Sequence, residues 1–127
     1  MKYITLLLFI ALVSMKSCDK NGNLSQEEEQ QRLDAMYTEI QAMANSEPCV
    51  NAEDWTFTAI GAKACGGPMG YIAYSTKMDT EAFLEKVEEY TKKQDEFNKK
   101  WNIISDCMVP PTPQSVRCVD GKAELVY

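Results

Sequence analysis

Between residues 26 and 45 the apolar side chains Leu33, Met36, Ile40 and Met43 fall three and four positions apart, the period of a helix that lays one face on a core. Ser25 stands just before this run with Glu28 three residues on, a capping-box signature, and Glu27, Glu28 and Glu29 face the positive end of the helix dipole. Pro48 stops the helix. From Trp55 the period changes to two, with Trp55, Phe57 and Ala59 on one side and Thr56, Thr58 and Ile60 on the other, as in a half-buried strand. Residues 66–70 (GGPMG) break regular structure and residues 71–75 (YIAYS) read as a second strand, so the two form a hairpin with a wide loop. Asp79 is positioned to cap a longer helix. Its apolar seam runs Phe83, Val87, Tyr90, Gln94, Phe97, Trp101, and Glu88/Lys92, Glu89/Lys93, Asp95/Lys99 and Glu96/Lys100 are i,i+4 pairs in the favourable order. Gln94 interrupts the seam: it either bonds a neighbouring backbone group at the helix edge or specifies a partner helix. The chain closes with Ile103 and Ile104, a proline-rich stretch over residues 110–113, and two short runs, 116–119 and 122–127, around the hairpin turn Asp120-Gly121.

The order helix, strand, strand, helix, strand, strand predicts a small two-layer α+β domain over residues 25–127, an antiparallel sheet with both helices on one face. No internal repeat or second domain is visible. The aromatics Trp55, Tyr71, Tyr74 and Trp101 sit on periodic elements, which assigns them to packing rather than to a sugar-stacking platform.

Ahead of this domain lies a different pattern. Met1 and Lys2 precede an eleven-residue apolar run, residues 3–13 (YITLLLFIALV), followed by Ser14, Met15, Lys16, Ser17 and Cys18. A bilayer-spanning helix needs about 20 apolar residues, so this run reads as an export signal rather than a membrane span. Ser17-Cys18 directly after it resembles the lipobox of bacterial lipoproteins, although Met15 and Lys16 stand where the common pattern has Leu and a small residue. The resemblance implies that residues 1–17 are removed, that Cys18 is acylated, and that the protein is held on the membrane of the cell envelope. Residues 18–24 then form a polar tether. Their Asp19, Asn21 and Asn23 imitate an EF-hand loop, but Gly22 is fourth rather than sixth and Gln30 occupies the twelfth position, so no calcium site is expected.

Charge and cysteine content sharpen this. The chain carries 13 Lys+Arg against 19 Asp+Glu, a formal charge of -6, and loss of Lys2 and Lys16 with the signal makes the body more acidic still. Nucleic-acid binding is not expected of such a surface. There is no histidine, which removes Ser-His-Asp and Cys-His catalysis and His-liganded zinc. With Cys18 assigned to lipid, Cys49, Cys65, Cys107 and Cys118 remain as an even set in a disulfide-permissive compartment, with three possible pairings. Local pairing, Cys49 with Cys65 and Cys107 with Cys118, closes small loops; Cys65 with Cys107 ties the central loop to the end of the long helix. No cofactor or metal site is expected, since the cysteines form no C-x-x-C pair.

Two loops are candidates for binding. Gly66, Gly67, Pro68 and Met69 follow Cys65, and such a turn is either a tight disulfide-bearing connection or an anion-binding array of N–H groups. Residues 107–118 (CMVPPTPQSVRC) contain Val109, Pro110, Pro111 and Thr112 in a backbone stiffened by three prolines. A proline pair between two cysteines resembles the reactive loop of Bowman-Birk-type serine-protease inhibitors, without the Thr-x-Ser set that precedes the prolines there. The expected function is a non-enzymatic, lipid-anchored envelope domain that binds a protein or other envelope component; the alternative is a hydrolase inhibitor acting through residues 107–118.

Overall fold

A computed structural model describes residues 23–127. The signal at residues 1–17, Cys18 and most of the 18–24 tether lie outside the described residues. The domain is α+β, with α1 (Gln26–Ala44), β1 (Trp55–Ile60), β2 (Gly70–Ser75), α2 (Thr80–Lys100), β3 (Ser115–Val119) and β4 (Lys122–Val126). A single 3₁₀ turn, Ala52–Asp54, leads into β1.

Local chemistry sets the boundaries. The Ser25 hydroxyl accepts from the Glu28 N–H at 3.2 Å and the Glu28 carboxylate accepts from the Ser25 N–H at 2.9 Å, which completes the capping box of α1. Those Ser25 contacts, backbone first and hydroxyl second, hold the Glu28 carboxyl below its ordinary value. Asp79 caps α2 through the Ala82 N–H at 3.1 Å. At the other end Asn102 takes the left-handed conformation, φ 50°, and turns the chain out of α2. Asp120 and Gly121 both have positive φ, 49° and 75°, as a two-residue hairpin turn of the twist-compatible kind requires.

The helices cross antiparallel and bury Leu33, Ile40, Phe83, Val87, Tyr90 and Phe97, with Gln94 the one gap in the α2 seam. Their shared face rests on the β1–β2 hairpin through Ile60, Ile72 and Tyr74. In the antiparallel register Thr58 pairs with Ile72 and Ala59 with Tyr71, so Phe57 and Tyr71 fall on the opposite face, where their rings meet edge-on at 6.1 Å. The sheet is divided: β1 pairs with β2 and β3 with β4, as two separate two-stranded sheets. The β3–β4 hairpin packs against β1 and β2 rather than extending their ladder. A hairpin of two six-residue strands with apolar side chains on both faces needs cover on both, and the helices and second hairpin supply it.

Cys49 pairs with Cys118 and Cys65 with Cys107, so neither local loop forms. Bridges of this kind fit a protein that reaches an oxidising compartment. Among the described residues no helix is long and apolar enough to cross a membrane.

Candidate binding face

The C-terminal half of α2 seats the first loop. Gly61, at φ 77°, donates its N–H to the Thr91 hydroxyl at 3.0 Å. Ala62 is held on both sides of its peptide unit: its N–H donates to Gln94 Oε1 at 2.9 Å, and its carbonyl accepts from Asn98 Nδ2 at 2.8 Å. Thr91, Gln94 and Asn98 lie three and four residues apart, on one helix face. The break in the apolar seam is thus the docking point for irregular backbone. A side chain at Gly61 would place its Cβ 2.6 Å from Gln94 Oε1, which with the positive φ restricts the position to glycine.

Beyond Ala62 the chain makes a tight turn, with the Lys63 N–H bonded to Gly67 O and the Gly66 N–H to Lys63 O, each at 2.9 Å. The Met69 N–H donates to Ile60 O and Pro68 has no N–H, so an array of consecutive free donors for an anion does not form. The turn carries a disulfide instead. Cys65–Cys107 joins it to the segment leaving α2, and Lys63 Nζ reaches Asp106 Oδ1 at 2.5 Å and Met108 O at 2.6 Å. That lysine, chiefly through its hydrogen bond, holds the Asp106 carboxyl below its ordinary value. Farther on, the Tyr71 hydroxyl and Thr112 hydroxyl share a hydrogen bond of 3.0 Å, Pro113 is buried, and the Gln114 N–H bonds Val126 O at 2.7 Å.

The two loops that the sequence offers separately are therefore one braced unit. Gly66, Gly67 and Met69 are exposed and Pro68 half-buried; Val109, Pro111 and Thr112 are exposed and Pro110 half-buried. Cys107 and Cys118 bridge to different partners, so residues 107–118 are not a ring closed by their own disulfide. What the pattern does not single out is Ile104, Met108, Asp106 and Lys63. Ile103 packs against the core, whereas Ile104 is 94% exposed, Val109 83% and Met108 75%. Across residues 61–70 and 102–114 the charged side chains are Lys63 and Asp106, and they are bonded to each other. In a chain with 25% charged residues this leaves a two-loop surface that is neutral, apolar and fixed. The uncharged stretches flanking one Lys and one Asp were the available signal.

Of the four aromatics, Tyr74 stacks on Phe83 at 4.9 Å, Trp101 Nε1 donates to Glu29 Oε2 at 2.8 Å, Trp55 is half-buried on the first hairpin, and Tyr71, half-buried on the same hairpin, supports the second loop through Thr112. No family model, no curated protein and no solved structure matches the chain.

Proposed function

We propose that this is an exported, lipid-anchored envelope protein whose small disulfide-braced domain binds a protein or other envelope component and performs no catalysis. The observation that carries the reading is the neutral, apolar two-loop surface around Ile104, Met108 and Val109, held outward by Cys65–Cys107 and the Lys63 clasp. Apolar side chains on loops usually cover their own core. Here three stand in water on a rigid support, so little ordering entropy is lost when they meet a partner. The Ser17-Cys18 lipobox resemblance and the paired cysteines support the envelope location, and the missing histidine supports a binding rather than a catalytic role.

A photoreactive residue at Val109 should cross-link to an envelope component, while the same group at Glu88, on the exposed face of α2, should not. Equal or absent cross-linking at both positions refutes the surface.

A second reading, inhibition of a serine protease, is favoured by one observation. Residues 108–112 form neither helix nor strand and are pinned at both ends, by the Cys107 bridge and by the Tyr71–Thr112 hydrogen bond. It requires potent inhibition that disappears when residues 108–114 are replaced by a Gly/Ser loop, and unchanged potency after replacement excludes it.

A further inference from the structure

We infer that the component met by the two-loop surface is the lipid bilayer itself, so that Ile104, Met108 and Val109 form a second membrane contact beside the acylated cysteine. This rests on the lipid-anchor reading and names the partner of that same surface.

Three observations converge on it. The first is where the tether arrives. Trp101 Nε1 and Lys100 Nζ both bond the Glu29 carboxylate, which places the start of α1 beside the end of α2. Leu24, the last residue of the tether, lies along the same cleft as Phe97 and Lys100. The second is reach. Residues 19–24 span at most about 20 Å when fully extended, so Cys18 holds this end of the domain close to the headgroups. Ile104 is only three residues beyond Trp101, at most about 10 Å of chain. The lipid attachment and the exposed apolar side chains therefore belong to one end of the molecule.

The third is charge. Entry of a loop into the headgroup region is opposed by unpaired charge, and the two loops carry none: Lys63 and Asp106 neutralise each other. At the neighbouring helix ends Lys100 pairs with Glu29 and Lys99 with Asp95. An acidic body thus carries a neutral, apolar two-loop surface near the point where its anchor emerges, with the acidic first turn of α1, Glu27 and Glu28, beside it. The lipobox resemblance implies two or three acyl chains, which anchor stably by themselves, so what a further contact of this kind adds is a fixed orientation of the domain on the bilayer.

The test uses the lipidated full chain carrying Val109→Trp, incorporated into phosphatidylcholine vesicles with and without shallow nitroxide-labelled phosphatidylcholine. Emission is read as the difference from the unsubstituted protein, which removes Trp55 and Trp101. Ile104→Trp serves as a second reporter on the surface. Val50→Trp is the control, because Val50 is 85% exposed but follows Cys49, whose N–H bonds Gly121 O in the β3–β4 turn. A blue shift with nitroxide quenching at 109 and 104, and neither at 50, supports the contact. Water-like, unquenched emission at 109 and 104 in protein that floats with the vesicles overturns the contact and leaves the anchor intact. Failure to float overturns the anchor and the contact with it. Unquenched emission in vesicles together with cross-linking of residue 109 to a protein in cells assigns the surface to a protein partner and overturns the bilayer.

Discussion

Gln94→Leu removes the acceptor that holds Ala62, puts a branched apolar side chain one bond shorter in its place, and completes the apolar seam of α2. A reading based on periodicity alone expects the change to stabilise the helix. The structure requires the opposite, because the Ala62 N–H loses its 2.9 Å bond to Gln94 Oε1 in a half-buried position that helix packing shields. Leaving a fully buried donor unpaired costs about 1–3 kcal/mol, and partial access to water at Ala62 places the expected loss near the lower end, about 1–1.5 kcal/mol. For a domain of this size each kcal/mol shifts Tm by roughly 4–8 °C. Urea unfolding should show a lower midpoint with unchanged slope, and hydrogen exchange should show faster exchange at the Ala62 amide. Gln94→Glu keeps an acceptor and should recover most of the loss. If Gln94→Leu lies within about 0.5 kcal/mol of the parent, the range of an ordinary surface substitution, and Ala62 stays protected, the seat of the loop has been misassigned.

The paired substitution Cys65→Ser/Cys107→Ser opens a bridge spanning a separation of 42 residues, for which the chain-entropy relation gives about 4 kcal/mol; urea unfolding should report a loss of about 2–4 kcal/mol, and a loss below about 1 kcal/mol would mean the bridge does not brace the fold. Phe83 is 0% exposed at the centre of the core, so Phe83→Ala should cost about 3–5 kcal/mol, and a small cost would place the core elsewhere. Acid should destabilise through Glu28 and Asp106, whose carboxyls are held below 4.5 and 3.8 by Ser25 and by Lys63. A lowered folded-state pKa means that the unfolded chain takes up protons first. The contribution is present above the ordinary carboxylate range and fades as pH falls through and below it. Tm measured against pH should therefore drop in that window, less steeply at its acid end in Lys63→Met, and a curve identical in that variant would remove Asp106 from the account.

Elements with local, repeating causes are legible in the sequence. Ser25 with Glu28, Asp79, the seam from Phe83 to Trp101 and Asp120-Gly121 act over a few residues, and each element they specify is present. Gln94 is visible as an interruption, yet its role depends on Ala62, which is 32 residues away and meets it only when β1 packs against α2. The cysteine pairing is set by the same long-range packing, and so is the Lys63–Asp106 clasp, separated by 43 residues. The division of the strands into two hairpins follows from β1 and β2 having apolar residues on both faces, which the alternation of Trp55, Phe57 and Ile60 already contains. Ile103 and Ile104 look alike in sequence. The left-handed turn at Asn102 sends one into the core and the other into water.

Radiolabelled palmitate incorporation with membrane fractionation, comparing the full chain with Cys18→Ala in a bacterial host, tests the central claim that a braced binding domain is held at the envelope by lipid. The full chain should carry the label and sediment with membranes, and Cys18→Ala should lose both. Label that persists in Cys18→Ala, or a full chain that is unlabelled and found in the soluble fraction, contradicts the account.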